Sequence, residues 1–261
     1  MVLVDKEKCI GCGLCSNDCP SKVITLENKK ASITQSECLR CGHCVAICPV
    51  SAFKIDEYDM SEVEEYGNNQ PHLDEKDLIE SLKSRRSIRK YQKKGVERKK
   101  IEKIIEAGRY TPTGTNAQDV SYIVVEDDIP ILENEALKFY KRLVKISGLI
   151  SMFVKLPISL KKLRLKEGFF FHGAPTVILV ISKNVSNATL AAMSMELMAE
   201  AQGLGTLYVG LFTRAANKNK KIRTLLGLKK NEKIMQCIAI GYPDVKYQRT
   251  APKKKADIQW R

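Results

Sequence analysis

The stretch "CIGCGLCSNDCP" at residues 9–20 returns, gap for gap, as "CLRCGHCVAICP" at residues 38–49. Cys9, Cys12, Cys15 and Cys19 follow C-x2-C-x2-C-x3-C-P, and Cys38, Cys41, Cys44 and Cys48 repeat it, closing on Pro20 and Pro49. Three thiolates at two-residue gaps wrap one face of an iron–sulfur cube. The fourth points away once the chain has turned, and ligates the cube of the other run. The spacing therefore predicts two [4Fe–4S] clusters, one held by Cys9, Cys12, Cys15 and Cys48 and the other by Cys38, Cys41, Cys44 and Cys19. A zinc site would join one C-x2-C pair to a distant second pair, not to a third cysteine at the same gap. A disulfide framework would imply secretion, and no apolar signal segment precedes Cys9.

The flanks repeat with the ligands. "CPSKVITLE" (19–27) aligns with "CPVSAFKID" (48–56), and "LVDKEKC" with "SITQSEC". A duplicated half-unit of this kind resembles the small bacterial-type two-cluster ferredoxins over residues 1–57, and the resemblance implies one-electron transfer. The ninth cysteine, Cys237, lies in the apolar run "KIMQCIAIGYP" and is expected to be a buried strand residue.

At 261 residues the chain has room for a second domain. Residues 58–75, acidic and polar with Gly67, Asn68, Asn69 and Pro71, suggest a linker. Residues 76–261 carry enough apolar side chains for their own core. Charge divides unevenly: residues 1–75 hold 7 Lys/Arg against 13 Asp/Glu, and residues 76–261 hold 37 against 17, a net of +20. Such a surface serves as a solvated face or as a dock for an acidic electron carrier. No recognition motif accompanies the lysines, so nucleic-acid binding is not expected. "ISGLISMFV" (146–154) is about half the ~18–20 residues a bilayer span requires, so no membrane insertion is expected. With "KLPISLKKLRLK" after it, the stretch suits a helix on a surface or on a partner. A cytoplasmic, anaerobic setting is expected, since exposed cubes of this kind are oxygen-labile.

The larger part mixes helices and strands. Asp74 opens a helix, and "VERKKIEKIIEAG" places Val96, Ile101, Ile104, Ile105 and Gly108 near one face. "VSYIVVED", "TVILVIS", "TLYVG" and "KIMQCIAIGYP" suggest strands. "NATLAAMSMELMAEAQGLG" is apolar nearly all round, so its Met193, Met195 and Met198 are expected to pack in a core.

Five motifs follow in order: "SRRSIRKY" (84–91), "TPTGTNAQ" (111–118), "GAPTVILV" (173–180), "GLGTLYVG" (203–210) and "IGYP" (240–243). Together they resemble the FMN-dependent nitroreductase family over residues 78–261. The fold this implies is α+β: a small two-cluster ferredoxin domain followed by a nitroreductase-like α/β sandwich, a mixed central sheet flanked by helices. The resemblance places Arg85, Arg86 and Ser87 at the phosphate of FMN, where guanidinium forks and a hydroxyl suit a dianion. It places Arg89 at the pyrimidine edge of the ring and Asn116 against the ring, on a loop shaped by Pro112, Thr113, Gly114 and Thr115. Gly210 and Leu211 match the backbone amides facing flavin N5, and Lys253 and Lys255 match the C-terminal basic pair near the phosphate. Two positions depart from the family pattern: Asp119 and Val120 stand where proline and tryptophan are common, and Lys255 offers a point charge instead of a fork. No side chain is expected to act as acid or base, and His172 is expected to be a packed or surface residue.

The resemblance further implies a homodimer that takes electrons from a ferredoxin-like carrier or NAD(P)H. Its two clusters would feed FMN, which reduces a nitro, quinone or other electron-poor conjugated small molecule. The alternative is a module in which FMN relays electrons between protein carriers, or from NAD(P)H outward to the clusters.

Overall fold

The computed structural model describes residues 1–67, 70–150 and 165–261, with the backbone alone for 146–150. The surface helix expected from 146–154 and its basic continuation therefore falls largely outside the described residues, as do Asn68 and Asn69. The chain forms two compact units. Unit 1 comprises Met1–His72 with Thr113–Ala117, and unit 2 comprises Leu73–Pro112 with Gln118–Arg261.

Unit 1 is built on the 29-residue repeat. Helices α1 (Leu14–Asp18) and α2 (His43–Ile47) each follow a left-handed glycine, Gly13 at φ 78° and Gly42 at φ 79°. That conformation comes without strain only in glycine, and it reverses the chain between the second and third cysteine of each run. Strand β1 (Val2–Val4) pairs antiparallel with β4 (Phe53–Ile55). Strand β2 (Ile24–Glu27) pairs with β3 (Lys30–Ile33) through a turn whose residues Asn28 and Lys29 both have positive φ, the geometry of a tight hairpin. Val2, Val23, Ile24, Ala31, Ala52, Phe53 and Ile55 form the core together with Cys9, Cys15 and Cys19. The expected linker begins on this unit: Tyr58 Oη donates to the Arg40 carbonyl and Met60 Sδ accepts from Ile55 N.

Unit 2 opens with α3 (Glu75–Ser84), capped by Asp74, whose carboxylate accepts from Asp77 N at 3.0 Å. Then come α4 (Arg98–Arg109), β5 (Ser121–Val125), α5 (Ile129–Ile150), β6 (Thr176–Ile181), α6 (Val185–Ala201), β7 (Gly205–Tyr208), α7 (Gly210–Lys218), α8 (Lys220–Leu225) and β8 (Ile234–Gly241). The sheet runs β5-β6-β8-β7. The expected α+β sandwich is present, but among the described strands the sheet is antiparallel throughout instead of mixed. The helical connections explain this: β6 and β8 lie side by side although three helices and a strand separate them in sequence, and both run against their neighbours.

Side-chain alternation divides the core into two layers. From β6 and β8, Val177, Leu179, Cys237 and Ala239 face α5, α7 and the Phe170, Phe171 and Phe212 rings. Ile178, Val180, Ile238 and Ile240 face α4 and α6, against Ile104, Ala192 and Met195. Strand β6 is buried on both faces, as its unbroken apolar run implies. Met195 is fully buried and Met198 packs at the rim of the core, whereas Met193 is half-buried. No helix among the described residues is long and apolar enough to cross a membrane.

Candidate functional site

Two groups of residues carry the chemistry, one in each unit. In unit 1 the eight cysteines of the repeat are free thiols gathered around two recesses. Cys9, Cys12, Cys15 and Cys48 line one, with Ile10, Leu14, Leu26, Val50 and Phe53 as apolar wall. Cys19, Cys38, Cys41 and Cys44 line a second, beside Val2, Ile24 and Ile33. Each recess thus draws three thiols from one run and one from the other. Backbone amides point at the sulfurs: Ala31 N donates to Cys9 Sγ at 3.4 Å, Ala52 N to Cys48 Sγ at 3.3 Å and Arg40 N to Cys38 Sγ at 3.4 Å. The Ala31 amide holds the Cys9 thiol below the usual range, whereas burial pushes Cys44 up to about 11.

The donor set fits a cluster. Every ligand position is a soft thiol, the recesses have apolar walls, and amides donate to the sulfurs, a known control on cluster potential. A cube spreads its thiolates over four irons, whereas zinc would draw them onto one ion.

In unit 2 the segment after α3 lies along the free edge of β7. Ile88 N donates to the Thr206 carbonyl at 2.9 Å, Gln92 N to Tyr242 O at 2.9 Å, and Tyr91 bridges to Pro243. Two glycines make this docking possible. A Cβ on Gly205 would stand 2.3 Å from Ile88 Cγ1, and one on Gly241 would stand 2.6 Å from Pro175 Cδ and 2.8 Å from Tyr91 Cδ1. The motifs containing Ile88, Pro175, Gly205 and Gly241 therefore interlock by close packing.

This docking half-buries Arg85, Arg86 and Ser87 and leaves Arg89 exposed. Arg85 Nη1 donates to Glu196 Oε1 at 2.5 Å, and Arg86 Nη1 donates to the Arg85 carbonyl. Arg85 Nε and Arg86 Nη2 are buried with no hydrogen-bond partner among the described residues. A buried guanidinium N–H without an acceptor is costly. Two on adjacent residues mark a place for an anion, which fits the phosphate of a flavin mononucleotide. Gly210 and Leu211 open α7 directly after β7. Their amides belong to the helix's first turn, where no intrahelical acceptor exists, and Tyr140 Oη donates to the Leu211 carbonyl at 2.9 Å to fix that end.

Pro112 remains in unit 2, but Thr113, Gly114, Thr115 and Asn116 group with unit 1. There Asn116 Nδ2 donates to the carbonyls of Leu39 and Arg40 at 3.2 and 3.0 Å. Positive φ at Thr115, Asn116 and Gln118 turns the loop this way, so the amide expected against the flavin ring is committed to unit 1. Lys253 and Lys255 lie exposed on a segment without regular structure. His172 is half-buried with φ 54°, and burial first, then the Arg89 charge, hold its imidazole below the usual range.

Two residues carry more than their sequence context suggests. Glu196 is only 3% exposed within α6, and its Oε1 accepts from both Arg85 and Thr206 Oγ1, the latter at 3.1 Å. Carboxylates inside a helix apolar nearly all round, Glu196 and the half-buried Glu200, are the available signal, because a buried charge requires a partner. Asp119, at the position that departs from the family pattern, accepts from Ser182 Oγ (2.8 Å), Lys183 N (3.0 Å) and Asn187 Nδ2 (2.7 Å), tying the start of β5 to the start of α6. Burial works to raise its carboxyl, but the donors from Asn187, Ser182 and Lys183 outweigh it and hold the group below the usual range. Asp119 therefore stabilises the fold fully above the ordinary carboxylate range, and this contribution is lost as pH falls through the lowered value. Asp119→Ala is expected to cost about 1–3 kcal/mol at neutral pH and to flatten the acid limb of the stability profile. Urea unfolding at a series of pH values checks both, and an unchanged acid limb would contradict the assignment.

Residues 82–242 match the Nitroreductase family, and residues 1–49 match the 4Fe-4S dicluster domain. A protein of Methanothermobacter thermautotrophicus, provisionally named NADH dehydrogenase/NAD(P)H nitroreductase, is 27% identical over 176 residues, 66% of this chain and 82% of that relative. Iodotyrosine deiodinase 1 of Homo sapiens is 27% identical over 213 residues, 72% of each chain. Among solved structures, a nitroreductase of Bacteroides fragilis with bound FMN superposes with a TM-score of 0.57 at 21% identity, over 70% of this chain and 99% of its own. The sheet with its two helical layers, the docked Arg85–Ser87 segment and the family match over most of unit 2 lead to one assignment: this chain is an oxidoreductase of the nitroreductase family carrying an N-terminal 4Fe-4S ferredoxin domain.

Proposed function

We propose that the protein is an iron–sulfur flavoprotein in which two [4Fe–4S] clusters exchange electrons with FMN, and FMN reduces an electron-poor conjugated small molecule. The observation that carries this reading is the sorting of eight thiols into two quartets in one unit, joined in one chain to a nitroreductase-family unit with unpartnered buried guanidinium nitrogens. Clusters handle electrons singly, and FMN exchanges them singly or in pairs. The chain's part is to hold the thiols at fixed spacing, direct amides at the sulfurs, and present Arg85, Arg86 and Ser87 to the phosphate. Arg89 and the first-turn amides of Gly210 and Leu211 would stand near the ring. The domain division proposed is a ferredoxin domain at 1–57, a linker at 58–75 and the flavin domain at 76–261. The active form is a homodimer in the cytoplasm.

The test is an anaerobic challenge of the fully loaded protein with reduced ferredoxin, NADH and NADPH in separate arms, following cluster and flavin absorbance in time. Cluster bleaching by ferredoxin followed by flavin bleaching is the expected result. Flavin bleaching by NAD(P)H with the clusters lagging would reverse the direction of flow. Acceptors should then include a nitroaromatic, a quinone and an iodotyrosine, the last because a relative is named an iodotyrosine deiodinase. Failure of every acceptor to reoxidise the flavin, while a second protein carrier does so, would make the chain a relay.

A further inference from the structure

The Arg85–Glu196 pair joins residues 111 apart in sequence, and it sits where, among the described residues, buried guanidinium nitrogens lack acceptors. Glu196 is 3% exposed on the side-chain measure, and Arg85 is 27% exposed. The carboxylate is fixed from its own side, because Thr206 Oγ1 on β7 donates to the same Oε1 that takes Arg85 Nη1. Tyr208, also on β7, feels the same carboxylate: burial first, and then the Glu196 charge, push its phenol up. A guanidinium is a planar fork with two usable edges. Engaging Nη1 fixes that plane and leaves the opposite edge, bearing Nε–H, without a partner among the described residues.

We propose that Glu196 is the positioning residue of the phosphate end of the flavin site: it clamps one edge of Arg85 so that the other edge is presented to the phosphate. The proposal rests on the FMN reading and assigns selectivity to a carboxylate that never touches the cofactor. Without the clamp, a partly exposed arginine turns its head group to water, and the phosphate loses a charge-assisted contact. The ring half of the flavin is unaffected, so the loss falls on FMN and not on riboflavin.

Flavin-free protein, its iron content verified, is titrated with FMN and with riboflavin, following flavin fluorescence. In the parent protein FMN should bind more tightly than riboflavin. Equal affinity, or no binding of either, would overturn the FMN reading itself. In Glu196→Gln, FMN affinity should fall about tenfold to a hundredfold while riboflavin affinity changes less than about twofold. Arg85→Gln should give the same selective loss, and Arg85→Gln with Glu196→Gln should add nothing further. The proposal is overturned if Glu196→Gln binds FMN as well as or better than the parent, or if FMN and riboflavin weaken together, the signature of a merely structural carboxylate. Should Glu196→Gln fail to fold, Thr206→Val removes one anchor of the carboxylate while keeping the charge pair. It should give a smaller loss, again for FMN only, and an equal loss for both flavins would overturn the proposal.

Discussion

Serine in place of Cys48 should cost the chain about half of its cluster iron, and adding Cys9→Ser to that variant should cost almost nothing more. Cys48 lies 29 residues beyond Cys19 in the repeat, yet it closes the recess lined by Cys9, Cys12 and Cys15. Removing either Cys9 or Cys48 therefore strikes the same quartet. If each run instead held its own cube, the two substitutions would strike different clusters and the double variant would lose nearly all of its iron. The complementary pair, Cys48→Ser with Cys38→Ser, should lose both clusters in the exchanged arrangement and only one in the other. Iron and acid-labile sulfide per chain after anaerobic reconstitution, with electron paramagnetic resonance of the reduced protein, separate the two outcomes. The single variants also test the fold, because Cys9, Cys15 and Cys19 are core residues of unit 1. A cube bound only by the folded form stabilises it by mass action.

Gly205→Val is expected to strike stability and flavin binding together. Its Cβ would lie 2.3 Å from Ile88 Cγ1 and 2.9 Å from Ile88 Cβ, and the next obstacle is Pro243 Cγ at 3.0 Å. Ile88 is 6% exposed and held by the hydrogen bond from its amide to Thr206, so it cannot swing clear and the backbone must move. Overpacking of this kind costs about 1–3 kcal/mol, which for a unit of this size lowers Tm by roughly 2–12 °C. The displaced backbone carries Arg85, Arg86 and Ser87, so FMN affinity should fall by at least about tenfold, the effect of one lost charged hydrogen bond. Trimming the obstacle is the control. Gly205→Val with Ile88→Ala should bind FMN more tightly than Gly205→Val alone, a coupling expected of side chains in direct contact. Strict additivity of the two substitutions in FMN affinity would show that the glycine does not act through Ile88.

The residues differ in how openly the sequence displays them. The cluster thiols are legible because no other side chain supplies a soft anionic sulfur, and because spacing along one turn of chain determines which sulfurs can share a cube. The helices of the larger unit are legible where periodicity and caps coincide, as with Asp74 before α3 and Ile101, Ile104 and Gly108 on α4. Strand β6 announces itself through six consecutive buried residues. Strand direction is not legible in this way, since an apolar strand satisfies its hydrogen bonds with either kind of neighbour. The antiparallel order β5-β6-β8-β7 follows from how the intervening helices cross the sheet.

Local chemistry therefore determined, from the sequence alone, the repeated cysteine runs of unit 1, the α+β class of unit 2 and the basic segment Arg85–Arg89. Only the tertiary structure decided which partner each of those residues meets. Asn116 stands in a motif suggesting a flavin contact; left-handed backbone at Asn116 itself and at Thr115 and Gln118 accompanies an amide that donates to Leu39 and Arg40. Asp119 breaks a family pattern and becomes the acceptor for three donors from the β6–α6 connection and α6. Glu196 has no neighbour in sequence that explains a charge inside an apolar helix. Its explanation is Arg85, 111 residues upstream, whose segment docks beside β7 because Gly205 and Gly241 carry no side chains. A buried carboxylate is stable only where folding supplies a guanidinium and a hydroxyl at hydrogen-bond distance, and that pairing depends on long-range packing that no local pattern encodes.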